Sequence, residues 1–225
     1  MRTLSEKLEI FNRSDLYPVV SSEFCNGRSV CEIVAGIASA GAKIVQIREK
    51  NLSDCTMFEL VQQCKMITDR YQMLLIVDDR VDIAIAAGAD GVHLGQDDFP
   101  LVQAKKLAPE MFFGISTHNE TEIRNALSDG CSYLNIGPMF PTQTKSVACG
   151  ALGLEKIEEL KALLKKYDMK ISAVACHGNP VHPNKELAEG YHKDFVNAVL
   201  LAEKIGIDTV ITFSGCPGDH EGAKY

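Results

Sequence analysis

Eight short apolar runs separated by helical stretches predict an α/β fold, a (βα)8 TIM barrel. Each run is too short for a helix and is followed by polar or turn residues, as is typical of buried parallel strands. A chain of 225 residues, 46% of them hydrophobic, is large enough for one barrel domain spanning residues 1–225. The predicted strands are Leu16–Val20, Ile44–Arg48, Leu74–Val77, Gly91–Leu94, Phe112–Ile115, Tyr133–Ile136, Lys170–Ala175 and Thr209–Phe213.

An internal repeat supports this prediction. A glycine closes four of the helices and leads into the next strand, at Gly41, Gly88, Gly130 and Gly206. Glycine is common there because it adopts the left-handed conformation without a Cβ clash. Three other strands follow a polar residue and Met, in the pairs Gln72-Met73, Glu110-Met111 and Asp168-Met169.

Helical periodicity fills the gaps between the strands. Val81–Ala87 is a compact helix, Thr117–Glu120 resembles a capping box, and the stretches 154–167 and 184–205 carry apolar stripes. Only GCPGDHEGAKY follows the last strand, so the predicted barrel lacks its last outer helix. Leu4–Phe11 would cover part of the flank that this leaves, but its helix is short. An uncovered apolar flank predicts self-association into a homo-oligomer or marginal stability.

Composition excludes several classes of function. The net charge of −7 and the absence of a basic run argue against nucleic-acid binding. No apolar stretch reaches membrane-spanning length, and the polar start is unlike a secretory signal. The eight cysteines form no C-x-x-C pair, which is typical of reduced thiols in a cytoplasmic protein.

Acidic residues follow the third and fourth strands. Asp78 and Asp79 come after Leu74–Val77, and Asp98 comes after Gly91–Leu94. A strand–helix–strand unit has a right-handed crossover, so these carboxylates emerge at the same sheet edge. Two facing carboxylates suit Mg²⁺, which also takes water and substrate phosphates. A single Asp here is an ordinary cap or turn residue, but the matched pair favours a metal site.

Cationic and hydroxyl groups follow the neighbouring strands. Alternation along the second strand places Gln46, Arg48 and Lys50 on one face, where they would bind an anion. Ser116 either donates to an oxyanion or caps the following helix. His93 receives no role, because a lone barrel histidine is more often a hydrogen-bonded core residue.

A loop between two prolines follows the sixth strand and carries Thr142, Thr144 and Lys145. Backbone amides, hydroxyls and an ammonium are what a diphosphate needs. Together with the metal pair, these groups predict small phosphorylated substrates and diphosphate chemistry. Residue chemistry alone leaves the substrate open.

Four segments resemble thiamine-phosphate synthase: VQIREK, VDDRVDIAIAAGADGVHLGQDD, GISTHNETEI and GPMFPTQTKS, over residues 16–164. The resemblance implies transfer of a hydroxymethylpyrimidine group from its diphosphate to a thiazole phosphate, with loss of pyrophosphate through a dissociative step. It places Mg²⁺ on Asp79 and Asp98, and catalysis on Ser116 and Lys145. It places substrate contacts on Gln46, Arg48, Lys50, Asp78, Ser116, Thr142, Thr144 and Lys145. Asp78 departs from the asparagine usual in that family, and an extra carboxylate there would alter metal affinity or repel the diphosphate.

The C-terminal part is similar to a different family. CHGNPVHPN and TFSGCPGDHEGAK resemble sugar-phosphate isomerase/epimerase barrels of the xylose-isomerase-like group. The interpretation is therefore a chimera of residues 1–168 and 169–225, joined near Lys165–Lys170. Because the family's last two phosphate loops are replaced, we expect weak or absent synthase turnover. The alternatives are a catalytically inactive chimeric barrel and, less favoured, a sugar-phosphate isomerase.

Overall fold

A computed structural model of the chain describes residues 2–137, 156–176 and 178–212. They form two compact units, the first ending at Glu159 and the second beginning at Leu160.

The first unit is a parallel α/β half-barrel. Its six strands lie side by side in chain order, and every neighbouring pair is parallel. The strands are β1 (Val19–Val20), β2 (Ile44–Ile47), β3 (Leu74–Asp78), β4 (Gly91–Leu94), β5 (Phe112–Thr117) and β6 (Tyr133–Ile136). The helices are α1 (Leu4–Asn12), α2 (Val30–Ser39), α3 (Asp54–Arg70), α4 (Val81–Ala87), α5 (Leu101–Leu107) and α6 (Glu120–Ser128), with a 3₁₀ turn at Ser22–Phe24.

Successive side chains on each strand face opposite sides of the sheet. On the outer face, Val45, Leu75 and Phe113 belong to the large core that includes the helices. On the inner face, Ile44, Leu74, Ile76, Phe112 and Tyr133 form a second core. Both faces are covered, which explains why these strands are almost continuous apolar runs in the sequence.

Left-handed residues close most of the helices. Gly41, Gly88, Gly130 and Gly206 have φ values of 93°, 70°, 74° and 73°, as the repeat predicts. Gln72 has a φ of 56° and Asp168 a φ of 55°, so the polar residue is also left-handed in two of the three polar–Met pairs that precede strands. The predicted capping box at Thr117 is wrong by two residues: Asn119 caps α6 and accepts from Glu122 N at 3.0 Å.

Helix α1 covers the inner face of the half-barrel. Leu4, Leu8 and Phe11 repeat at helical spacing and pack against the inner core. The buried Lys7 donates from Nζ to the Glu110 carbonyl at 2.6 Å, just before β5 begins. The sequence interpretation gave this segment a place on the outer flank; its apolar stripe instead fills the space enclosed by the curved sheet.

The second unit contains a strand–helix–strand element. Helix α7 (Ile157–Lys166) leads into it, followed by β7 (Val174–Cys176), α8 (Lys185–Ile205) and β8 (Val210–Thr212). β7 and β8 are parallel neighbours in a two-stranded sheet, with Val174 opposite Val210. Asn184 caps α8 by accepting from Glu186 N and Leu187 N.

All eight predicted strands are present, and their bounds differ from the prediction by a few residues at most. They lie in a six-stranded and a two-stranded sheet, so the described residues show a half-barrel and not a complete eight-stranded barrel. The predicted absence of a last outer helix concerns residues outside the described ones. No described helix is both long and apolar enough to cross a bilayer.

Gly114 gives Tyr133 room inside the half-barrel. A Cβ atom at Gly114 would lie 2.0 Å from Cζ and 2.3 Å from Oη of Tyr133. That ring is stacked on Phe112 with centroids 5.3 Å apart and cannot easily move aside. We expect Gly114→Ala to lower the free energy of unfolding by about 3 kcal/mol, the upper part of the usual range for overpacking, as measured by urea denaturation.

Gly36→Ala is the matched control for this substitution. Gly36 lies in α2, where an added Cβ atom meets nothing within 4 Å. This substitution is expected to raise the free energy of unfolding by about 0.5–1 kcal/mol through helix propensity. Equal effects of the two substitutions would contradict the close approach of Tyr133 to Gly114.

Candidate functional site

The end of β2 supplies an amide and two cations. Gln46 is buried within the strand, and Arg48 and Lys50 follow it in the loop with partly exposed side chains. Arg48 N donates to Val20 O at 2.8 Å, so the backbone extends the ladder with β1 beyond the strand. The structure therefore holds both cations near the carboxyl end of the sheet, as the sequence predicts.

Asp78, the last residue of β3, faces these cations. Its Oδ2 lies 2.8 Å from Lys50 Nζ and 3.3 Å from Arg48 Nε. The approach is close but poorly aligned for a hydrogen bond, and Oδ2 is buried, so we describe these contacts as ion pairs. Burial raises the pKa of Asp78, and Lys50 and Arg48 oppose that rise. The predicted contact residue Asp78 is thus the counter-ion of two predicted anion-binding side chains.

Asp79 occupies the next position in a left-handed conformation, with φ of 61°. Its N–H donates to the His93 carbonyl at 2.8 Å and fixes the turn against β4. Its carboxylate accepts a short hydrogen bond from Lys50. Aspartate tolerates the left-handed region better than most residues, and such conformations cluster at functional sites.

Asp98 joins the group from the loop after β4. Its Oδ2 accepts from Gly95 N at 2.6 Å. Burial raises the pKa of Asp98; the Gly95 N–H opposes this, and the neighbouring Asp79 carboxyl raises it further. The two predicted metal ligands therefore lie close enough to repel each other, which a divalent cation between them would relieve.

The donor set fits Mg²⁺ with few protein ligands. Within the described ranges no cluster of three or more His, Cys, Asp or Glu side chains could hold a metal. Two carboxylates are enough for Mg²⁺, because this ion usually keeps several waters and takes substrate phosphate oxygens. The ammonium of Lys50, which contacts both Asp78 and Asp79, already places one positive charge at this position.

Ser116 lies on β5 beside these groups and is held by two side chains. His93 Nε2 lies 2.9 Å from Ser116 Oγ, and Gln96 Nε2 donates to the Ser116 carbonyl at 2.7 Å. Ser116 does not cap α6, since Asn119 does. This rules out the capping role and leaves donation to an oxyanion as the role predicted for the hydroxyl.

Sequence reasoning missed the importance of His93 and Tyr133. His93 Nδ1 lies 2.9 Å from Tyr133 Oη, and both side chains are buried. A signal was present in the strand alignment: Asp78, His93, Gly114 and Tyr133 are successive register partners across four strands. Finding that row requires the register between neighbouring strands, and the sequence of a single strand does not contain it.

The other predicted contact residues, Thr142, Thr144 and Lys145, lie outside the described residues, as does His177. His182, to which no metal role was given, accepts from Asn184 N at 3.0 Å through Nδ1 in the loop before α8.

Comparisons with known proteins show the family to which the chain is similar. Residues 16–189 match the family model described as thiamine monophosphate synthase. The chain is 35% identical over 206 residues to a thiamine-phosphate synthase of Caldicellulosiruptor saccharolyticus, covering 91% of this chain and 90% of that protein. It is 40% identical over 146 residues to one from Chloroflexus aurantiacus, covering 65% of this chain and 68% of that protein.

A solved structure gives the same result. Thiamine phosphate pyrophosphorylase from Pyrococcus furiosus aligns with a TM-score of 0.62 and 28% identity, covering 93% of this chain and 91% of that one. The family match and this alignment both continue past the predicted junction near Lys165–Lys170. The comparisons therefore give no support to a fused sugar-isomerase segment.

Proposed function

The chain belongs to the thiamine monophosphate synthase family, and from this premise we propose that it transfers a hydroxymethylpyrimidine group from its diphosphate to a thiazole phosphate. The observation that carries the proposal is the group of Lys50, Asp78, Asp79 and Asp98 at adjacent strand ends. A diphosphate is a good leaving group only when its developing negative charge is neutralised, which Lys50 and a cation held by Asp79 and Asp98 would do.

Arg48 and Lys50 would bind the diphosphate. Both lie at the sheet edge, and both now neutralise the buried Asp78 carboxylate. A guanidinium and an ammonium in a partly buried site bind phosphate oxygens more strongly than in water. Ser116 would donate a hydrogen bond to the departing pyrophosphate. We assign Thr142, Thr144 and Lys145 to the same diphosphate on the family pattern, and the catalytic role to Ser116 and Lys145.

Asp79 and Asp98 would hold Mg²⁺. Their mutual repulsion fits one ion with two protein ligands, since Mg²⁺ usually takes few carboxylates and keeps several waters. When bound, this ion would supply positive charge that stabilises the leaving pyrophosphate. Gly95 N fixes Asp98, and His93 O fixes the backbone of Asp79, so the protein prepares the ligand geometry in advance.

The direct test is turnover by the purified chain. With both substrates and Mg²⁺, we expect pyrophosphate release and thiamine phosphate formation, each requiring both substrates. Folded protein without turnover would favour the inactive barrel, and conversion of a ketose or aldose phosphate would favour the isomerase. The rate also tests the expectation from the sequence that turnover is weak.

The proposal has three further parts. The eight strands close into one TIM barrel, an exposed flank of the barrel self-associates, and the protein is cytoplasmic. A family match across both units supports a common barrel. Light scattering on the purified chain would measure its oligomeric state, and a monomer at micromolar concentration would contradict self-association.

A further inference from the structure

A line of hydrogen bonds crosses the inner face of the half-barrel and ends at Ser116. Tyr17 Oη lies 2.5 Å from Tyr133 Oη, which lies 2.9 Å from His93 Nδ1. His93 Nε2 lies 2.9 Å from Ser116 Oγ. Burial raises the pKa of both tyrosines above the ordinary value, so each phenol keeps one proton to donate. No part of this line except Ser116 has a role in the proposed reaction.

The line can be ordered in two directions. A neutral imidazole has one N–H and one acceptor nitrogen, so the bonds at Nδ1 and Nε2 run the same way. In the first direction Ser116 donates to Nε2, Nδ1 donates to Tyr133, and Tyr133 donates to Tyr17. The Tyr17 hydroxyl proton then has no acceptor within the line, and we call it the surplus proton. In the second direction Tyr17 donates to Tyr133, Tyr133 donates to Nδ1, and Nε2 donates to Ser116. The surplus proton then belongs to Ser116.

The surroundings favour the second direction. Among the described residues, Tyr133 is the only hydrogen-bond partner of the Tyr17 hydroxyl, which lies in an aromatic cluster with Phe11. A proton left there would lack an acceptor. Ser116 instead lies near the carboxyl end of β5, beside the groups assigned to the diphosphate, where a phosphate oxygen would accept its proton. A donor without an acceptor is more costly in the interior than at a ligand site.

We infer that His93 is a positioning residue that donates from Nε2 to Ser116 Oγ and so keeps the Ser116 hydroxyl proton directed at a phosphate oxygen of the substrate. Gly114 makes this arrangement possible, because a side chain there would displace the Tyr133 hydroxyl. Gln96 holds the Ser116 carbonyl and restrains the backbone of the same residue. The inference deepens the proposed function, on which the identity of the ligand rests.

The protonation of His93 Nε2 is measurable without turnover. In ¹⁵N NMR spectra of the folded chain, His93→Gln identifies the signals of this ring among those of the six histidines. We expect a protonated, pyrrole-like Nε2. Tyr17→Phe should leave it unchanged, because Tyr133 still donates to Nδ1, whereas Tyr133→Phe should reduce the protonated fraction. An Nε2 without a proton in the parent chain overturns the inference.

Kinetics separate positioning from a merely structural role. Tyr133→Phe keeps the ring packing and is expected to lower kcat about 10-fold, with a smaller change in KM for the diphosphate. His93→Gln should retain more kcat than His93→Leu, since a glutamine amide can donate to Ser116. Equal losses in the last two variants contradict the inference. If the parent shows no turnover, the proposed function fails, and the NMR result still decides the role of His93.

Discussion

Asp98→Ala is expected to abolish Mg²⁺-dependent binding of the pyrimidine diphosphate, with a loss of affinity greater than about 100-fold. Asp98 is one of the two carboxylates that we propose as ligands of a shared cation, and the substitution also leaves Gly95 N without its acceptor. Isothermal titration of the diphosphate with Mg²⁺, and again with EDTA, measures the metal-dependent part of the binding directly.

Two further variants make this test specific. Asp97→Ala removes the neighbouring carboxylate, which is exposed, and should bind as the parent does. Asp98→Asn keeps an oxygen for Gly95 N but loses the charge, so its loss of affinity reports the charge alone. If Asp98→Ala binds the diphosphate as tightly as the parent in Mg²⁺, the assignment of the metal site is wrong.

Asp78→Asn is expected to strengthen binding of inorganic pyrophosphate with Mg²⁺ by about 10-fold. The Asp78 carboxylate lies against both Arg48 and Lys50 and cancels positive charge that a diphosphate would otherwise meet. An asparagine of the same shape removes that competition and the cost of a buried charge, because burial already raises the pKa of this carboxyl. Titration at two salt concentrations shows whether the gain is electrostatic, since an electrostatic gain shrinks as salt increases.

Asp82→Asn is the matched control. Asp82 lies four residues along the chain, where its carboxylate is paired with Arg80 and exposed. Its loss should leave pyrophosphate binding unchanged. Weaker binding by Asp78→Asn would contradict this prediction. It would mean that the Asp78 carboxylate is needed to hold Arg48 and Lys50 in place and that its charge favours pyrophosphate binding.

The sequence by itself determined the strands, the glycines that close four helices, and the placement of Asp79 and Asp98 after neighbouring strands. Gly91–Leu94 and Tyr133–Ile136 have the predicted bounds because buried parallel strands are short, continuous apolar runs. The four closing glycines are left-handed as predicted, because local sterics decide that conformation. Asp79 and Asp98 come together because parallel strands end at one edge.

Only the tertiary structure decided what depends on register and on distant packing. The inner position of α1 follows from a curved sheet whose interior needs apolar cover, and an amphipathic helix alone does not specify which surface it covers. Lys50 bridges Asp78 and Asp79 across two strands, and His93 joins Ser116 to Tyr133 across three. These contacts join residues far apart in the chain, and local propensity carries no information about them because their energies arise only when the strands pair.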